Sequence, residues 1–380
     1  MIRSEIDGVP LVRTEGGPKY HKPLFEIETD LFLGIEDGEP AWQIFDETVR
    51  NLTIHPDGRM YFMFSTRSYD SEILSVSPKG ELLTRFGGTG SGPGEYNRVG
   101  TIKWSVLGEE LLISDTNLRR VSRFTAEGEF LGLVGSPGDP DRWLRFNRIS
   151  DHRYLGFSEV RRSQGQYWIH GGTYVLLDEQ LHHERDLFDI QDYRMGVVTK
   201  DTGLGGRPGS LGIPYTRGDR AIPYPDSRIL LGSPASKRLT ILSLEGEPLF
   251  YIERDWPDNR PPRRDYNQYR RNYRTHPSVR MQNVAIPRHE PAFDRVYTDE
   301  QGVIWVQSYV SPMEWMRGKR PTYEVFGPDG VWLGTVDFKN SVYLIQGGHA
   351  YFITQPEGGD GGPHLERKVL IPLVPELQDR

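Results

Sequence analysis

Basic and aromatic side chains are concentrated in the long segments that connect the predicted β-strands of this chain. Arginine and lysine outnumber carboxylates in these segments, although the chain of 380 residues carries a formal net charge of −7. Guanidinium groups beside aromatic rings bind planar anions through paired hydrogen bonds and stacking. The predicted ligand-binding residues are Arg67, Tyr69, Arg119, Arg120, Arg161, Arg162, Trp168, His170, Lys237, Arg238, Trp315 and Arg317.

This pattern predicts an anionic partner, which is an anionic small molecule, an acidic glycan or an acidic protein surface. The alternative is that the loops are simply solvated and that arginine stems cover hydrophobic rims. DNA is not expected as a partner, because an acidic chain with a pI near 5.9 is poorly suited to neutralising phosphates over its whole surface. A monomer is expected.

Three further cations interrupt segments that are otherwise apolar. Lys103, Arg148 and Arg295 lie in predicted innermost strands, and we expect them to line a central channel. The alternative is a hydrated channel in which nearby carboxylates pair with these side chains.

A helix is predicted in the link between Trp256 and Arg295. Pro261 and Pro262 open it, and Tyr266, Tyr269 and Tyr273 then recur on one face. We expect this tyrosine stripe to pack on the chain's own domain, with the arginines of the helix in solvent. A lid over the channel mouth is the functional alternative.

Familiar catalytic patterns fail on inspection. The glycine-rich run 87–94 lacks the Lys-Ser/Thr of a P-loop, and Ser210 has no glycine two residues before it, as a nucleophile elbow requires. Pro291 directly after His289-Glu290 excludes a helical H-E-x-x-H site. The chain contains no cysteine, which excludes thiolate catalysis and Cys-ligated zinc. We expect no catalytic residue, metal or cofactor. The alternative is a metal site at the propeller axis, formed by histidines from separate repeats.

The elements that position these residues repeat along the chain. Residues 49–87 read as four short apolar runs with tight turns at 56–58 and 78–80, and the pattern returns at 99–135. Weaker copies follow at 146–188, 220–253, 293–337 and 341–371. Four strands and two tight turns per unit predict an all-β, six-bladed β-propeller of four-stranded antiparallel blades. Five or seven blades are the alternatives.

The last repeat contains three runs, so a fourth strand must come from elsewhere. Residues 25–33 alternate apolar and polar side chains, and we expect this N-terminal strand to close the last blade and remove a sheet edge. The predicted organisation is an N-terminal extension at 1–23, a propeller domain at 24–375 and a helical insertion at about 256–292 between blades four and five.

Three runs resemble the NHL-type repeat. These are residues 86–96 (FGGTGSGPGEY), 113–116 (ISDT) and 120–128 (RVSRFTAEG), and more closely they resemble bacterial six-bladed, NHL-like propeller proteins. One position departs from the pattern, since Leu118 stands where such repeats usually carry asparagine. The resemblance implies the fold and carries no catalytic residue. It also implies a periplasmic or extracellular protein, since many members are secreted or lipid-anchored.

Strand order indicates where a ligand binds. First-to-second and third-to-fourth connections are tight and share one face, whereas the other links are long and project from the opposite face. Because function concentrates in long loops on a rigid scaffold, we expect the site on the long-loop face around the channel mouth.

Three functions remain open. A non-catalytic binding propeller of the bacterial cell envelope is favoured over a propeller hydrolase or lyase acting on a glycan or lactone. An NHL-type RNA- or protein-interaction module is the second alternative. Residues 1–5 lack the apolar core of a secretory signal, so the cytoplasm stays open as the compartment.

Overall fold

The computed structural model describes residues 1–33, 35–36, 39–40, 48–65, 71–105, 110–134, 145–164, 167–198, 209–275, 284–354 and 364–378. Six sheets dominate these residues, and they are the blades of a β-propeller. The predicted fold class is therefore confirmed.

The first 40 residues contain five strands. They are β1 (Ile2–Ile6), β2 (Val9–Thr14), β3 (Phe25–Leu33) and the two-residue strands β4 (Ile35–Glu36) and β5 (Glu39–Pro40).

Blades one to three follow in chain order. Blade one consists of β6 (Thr48–Ile54), β7 (Met60–Ser65), β8 (Ser71–Val76) and β9 (Leu82–Phe86). Blade two consists of β10 (Val99–Trp104), β11 (Leu111–Asp115), β12 (Arg120–Phe124) and β13 (Phe130–Leu133). Blade three consists of β14 (Phe146–Arg148), β15 (Tyr154–Gln164), β16 (Tyr167–Leu177), β17 (His183–Val198) and β18 (Gly209–Gly212).

Blades four to six complete the ring. Blade four contains β19 (Arg220–Tyr224), β20 (Arg228–Ser233), β21 (Arg238–Leu242) and β22 (Pro248–Arg254). Blade five contains β23 (Arg295–Thr298), β24 (Ile304–Gln307), β25 (Thr322–Phe326) and β26 (Trp332–Asp337). Blade six contains β27 (Leu344–Gln346), β28 (His349–Thr354) and β29 (His364–Pro372), with β3 as its fourth strand.

The ring closes through the N-terminal strand, as predicted. β3 pairs antiparallel with β29, from Phe25 opposite Pro372 to Leu33 opposite Leu365. Leu31 and Leu33 then pack with blade one, where Gly80 lies against them in a tight turn at φ +91°. A Cβ on Gly80 would lie 2.8 Å from a methyl group of each leucine, so the turn and the closure both require glycine.

The rest of the N-terminal segment also lies on the outside of the ring. β1 and β2 form a hairpin, and β2 pairs in parallel with β22 at the outer edge of blade four, which becomes six-stranded. The backbone amides of Lys19 and Tyr20 then donate to Trp332 and Leu333 of blade five at 3.0 and 2.8 Å. Residues 2–33 therefore contact blades four, five and six in turn.

Blade three differs from the sequence interpretation. The sequence interpretation places Arg161, Arg162, Trp168 and His170 in a long connecting segment. In the structure β15 and β16 instead pair along their whole length, from Tyr154 opposite Leu177 to Gln164 opposite Tyr167. Aromatic and β-branched residues in this segment favour a strand over a loop.

Apolar side chains between neighbouring blades form the core. The blade one and two interface buries Tyr61, Ile73, Trp104, Ile113 and Phe124. The blade five and six interface buries Trp305, Tyr323, Phe338 and Phe352. Because each blade packs on both faces, the innermost strands β6, β10, β14, β19, β23 and β27 are held around one axis.

Three helices lie outside the blades in the described part of the chain. They are α1 (Arg263–Arg274), α2 (Pro312–Met316) and α3 (Pro375–Gln378). The tyrosine stripe of α1 packs against Ile213, Tyr215 and Tyr309, so the interpretation of the stripe as a packing face is confirmed. Among the described residues, no helix is long and apolar enough to span a membrane.

Candidate functional site

Two of the predicted ligand-binding arginines hold the fold together. Arg120 donates to the backbone carbonyls of Ser91, Gly92 and Glu95 at 2.7–2.9 Å and so fastens the glycine-rich crossing between blades one and two. Arg238 donates to the Glu253 carboxylate, which also accepts from Arg13 of β2. Both guanidinium groups satisfy nearby acceptors within the chain.

The residues around α2 are also engaged. Arg317 forms an ion pair with Asp265, a fully buried carboxylate of α1. Trp315 is 37% exposed, and the Arg320 guanidinium lies 4.4 Å from its ring centroid. Lys237 donates to the carbonyl of Trp256 at 3.0 Å. These contacts fix α1 and the loops of blades four and five to one another.

The remaining predicted residues fall into three groups. Arg119 is exposed in the turn between β11 and β12, with φ at +52°. Arg161 and Arg162 lie in β15, where Arg161 is opposite His170 and Ser163 is opposite Trp168 of β16. Arg67 and Tyr69 lie outside the described residues.

A series of arginines, of which the sequence interpretation singled out only Arg295, lies at the long-loop end of the channel. Arg220 and Arg295 are the first residues of β19 and β23, and Arg145 directly precedes β14. All three occupy one register position, because Arg220 pairs with Gly232, Arg295 with Gln307, and the Arg145 carbonyl accepts from the amide of Phe157. The spacing is 75 residues in each case, so aligning the repeats would have revealed the series.

Two tyrosines link these arginines across blade boundaries. The Tyr174 hydroxyl of blade three accepts from the amide of Ala221 in blade four at 3.0 Å. Burial raises the pKa of Tyr174, while the positive charges of Arg220 and Arg145 act in the opposite direction. Burial likewise raises the pKa of Tyr297, which Arg295 and Arg220 oppose. The three guanidinium groups therefore act on shared neighbours in three consecutive blades.

The arginines differ in how far carboxylates neutralise them. Arg145 lies 3.4 Å from Glu159, and its side chain is 60% exposed. Asp294, beside Arg295, is occupied by Arg217. Arg220 is exposed and has no ion-pair partner within the described ranges. Arg220 and Arg295 therefore have no carboxylate ion-pair partner among the described residues, whereas Arg145 has Glu159.

The opposite end of the channel contains a cavity of about 750 Å³. All six blades line it, through the ends of their innermost strands and the tight turns that follow. Lys103 and Arg148 are in its wall, and Arg148 pairs with Asp151 at 2.8 Å. The rim also carries Asp226, Asp299 and Glu300. Of the three residues predicted to line the channel, Arg295 lies at the other end.

Lys103 has an unusual environment in this cavity. Loss of hydration lowers the pKa of its ammonium group. In the described part of the chain, no hydrogen bond or ion pair compensates that loss. A buried charge without a partner destabilises the folded state. Groups whose pKa is shifted in this way are concentrated at functional sites, so Lys103 is a candidate binding residue.

The described residues contain no group of three or more His, Cys, Asp or Glu side chains placed to hold a metal ion. The site that they do form is a channel with arginines at its long-loop end and both cations and carboxylates at its tight-turn end. Ordered guanidinium groups can bind an anion, and they provide no nucleophile or general base.

The chain matches no protein-family model and no curated protein. Among solved structures, it is similar to a Bacteroides fragilis protein whose name marks it as a candidate exported protein, with a TM-score of 0.54, 10% identity and coverage of 95% of this chain and 99% of that one. It is also similar to a member of the DUF4221 family from Bacteroides vulgatus, with a TM-score of 0.48, 12% identity and coverage of 92% and 99%. At this level of identity, the similarity establishes the fold: a six-bladed β-propeller with bacterial structural neighbours.

Proposed function

We propose that this protein is a non-catalytic binding propeller that holds an anionic group of its ligand at the long-loop end of the channel. The observation that supports this function is the series formed by Arg145, Arg220 and Arg295, which occupy one register position in three consecutive blades. The ligand class is a molecule with carboxylate, sulfate or phosphate groups, and acidic oligosaccharides are the first to test.

The arginines at the channel mouth carry like charges. Cations gathered at one mouth of an acidic protein repel each other, and an anion placed among them relieves that repulsion. Planar forks bind such groups through paired hydrogen bonds. Each exposed contact contributes no more than about 1 kcal/mol, so affinity depends on several arginines together and falls with salt.

We also propose that the protein works in the bacterial cell envelope. Support comes from the resemblance of the repeats to the NHL type and from the fold shared with a candidate exported protein of Bacteroides fragilis. Fractionation of the native host, followed by detection with an antibody, tests this compartment. Recovery with cytoplasmic markers would contradict it.

A binding screen tests the ligand class. Wild-type protein and the double variant Arg220→Ala, Arg295→Ala are applied to an array of acidic and neutral oligosaccharides at several salt concentrations. The matched control is Arg153→Ala, Arg185→Ala, which removes two exposed arginines that pair with Glu184 and Glu245 beside the tight turns.

We expect salt-sensitive binding of acidic oligosaccharides by the wild type and the control. In the double variant the affinity falls about tenfold, since two exposed contacts are lost. An equal loss of affinity in the control, or an affinity that does not depend on salt concentration, would contradict the proposal and favour solvated loops.

A further inference from the structure

A second cavity of about 590 Å³ lies on the long-loop face, beside the arginine series. Segments 213–218, 234–237 and 285–292 line it, and α1 supports it through the packing of Tyr273 against Ile213 and Ile286. Its volume is in the range of small-molecule sites.

Two residues that line this cavity each carry a polar atom that is buried without a hydrogen-bond partner in the part of the chain that the structure describes. These atoms are Oε1 of Glu290 and the hydroxyl of Tyr215, a residue that is 3% exposed. Tyr215 also has a left-handed backbone, with φ at +63°. Unsatisfied buried polar atoms and strained backbone each cost free energy and are concentrated at ligand sites.

The charges that act on Glu290 indicate what is missing. Burial raises the pKa of its carboxyl group, and the negative charges of Glu314 and Asp265 raise it further, while Lys319 opposes them. Lys319 and Arg317 are themselves paired with Glu314 and Asp265. The Glu290 carboxylate therefore faces other acids and lacks a cation of its own.

The cations on the other side of the cavity pair with other carboxylates, not with Glu290. Arg217 pairs with Asp294, and both Lys237 and His289 lie near Asp258, at 3.9 and 3.1 Å. Tyr269 and Tyr309, which pack on Tyr215, are neutral near pH 7 like any tyrosine, and burial raises the pKa of both further.

We propose that this cavity binds a small cationic amine, with the Glu290 carboxylate as its charge partner and the Tyr215 hydroxyl as a hydrogen-bond acceptor. An ammonium or guanidinium group supplies the N–H donors that both oxygens lack. Tyrosine rings near the bound cation add a cation–π attraction. Because the amine binds the ionised carboxylate, a Glu290 proton is released to solvent whenever binding occurs below the raised pKa.

Calorimetry with agmatine, which carries both an ammonium and a guanidinium group, tests the proposal. Affinity for the wild type rises as the pH increases through the raised pKa of Glu290, and titrations in buffers of different ionisation enthalpy show proton release below that pKa. Neutral 1,4-butanediol, with the same four-carbon spacer, does not bind.

Variants assign the effect to the two residues. Glu290→Gln keeps the shape of the side chain and lowers agmatine affinity at least about tenfold, and Tyr215→Phe lowers it about fivefold through one lost hydrogen bond. Glu245→Gln, at a tight turn beside Arg185, leaves it unchanged. Affinity for the wild type that is independent of pH, no binding of agmatine, or an unchanged affinity in Glu290→Gln would overturn the proposal.

Discussion

Loop arginines in this propeller divide into those with acceptors inside the chain and those without. Arg120 and Arg238 satisfy backbone carbonyls and a carboxylate, whereas Arg220 at the channel mouth has no carboxylate partner in the described segments. Sequence composition alone does not separate these groups. The acceptors of Arg238 and Arg120 lie 15 to 29 residues away in the chain and become neighbours through blade packing. The 75-residue spacing of the mouth arginines was visible in the sequence, but it required the blades to be aligned first.

At the residue scale, Lys103→Met should stabilise the protein. The folded state holds the pKa of Lys103 below its ordinary value, so the charged form is penalised at neutral pH. Removing the ammonium should raise the free energy of unfolding by about 1 kcal/mol and Tm by about 1 to 2 °C.

The gain should fade as pH rises from the lowered folded-state pKa to the unfolded value of about 10.4, and it should vanish above that value, where the lysine is neutral in both states. Thermal denaturation at several pH values measures it, with Lys79→Met in an exposed turn as the control. A loss of stability at neutral pH would mean that Lys103 has a compensating partner.

Glu376 is expected to show the opposite pH dependence. A hydrogen bond from Lys19, helped by one from Tyr20, lowers the pKa of its carboxyl group to about 2. Its stabilising effect is present above the unfolded pKa of about 4.3 and is lost as pH falls toward 2. Because the pair is partly exposed, Glu376→Gln should cost about 1 kcal/mol at pH 7. Denaturant unfolding measures it, and an equal cost at pH 2 would contradict this assignment.

At the scale of elements, the closing strand β3 was predictable and the β1–β2 hairpin was only partly so. Apolar and polar side chains alternate along residues 25–33, and the last repeat has only three apolar runs of its own. Both observations come from the sequence, and together they predict that β3 completes blade six. Asp7-Gly8 is a hairpin signal, and both residues adopt positive φ, at 52° and 81°. The parallel pairing of β2 with β22 joins residues about 240 positions apart, and no local pattern indicates it.

Two truncations should separate the roles of these strands. Removing residues 1–14 leaves blade four with its own four strands, so the protein should stay folded with a lower Tm. Removing residues 1–33 exposes the edge of β29 and opens the contacts of Leu31 and Leu33 with blade one. That form should aggregate or lose cooperative unfolding. Chromatography and calorimetry measure both, and wild-type melting of the shorter form would contradict the closure model.

At the scale of the whole molecule, the two ends of the channel differ in how their arginines are paired. Arg220 and Arg295 stand at the long-loop end without a carboxylate ion-pair partner among the described residues, whereas Arg148 at the tight-turn end pairs with Asp151. The net charge of −7 does not show this difference, because composition sums over both ends. Blade count and closure follow from local patterns. The site depends on which side chains six separate repeats bring to one axis.

The most direct test of the anion site is to locate a bound anion in crystals of the protein. Crystals grown without multivalent anions are soaked in selenate, and anomalous scattering from selenium gives its position. The account predicts a peak within hydrogen-bond distance of the Arg220 and Arg295 guanidinium groups, and loss of that peak in the Arg220→Ala, Arg295→Ala variant. Selenate bound elsewhere with the channel mouth empty, or an equal peak in the variant, would contradict it.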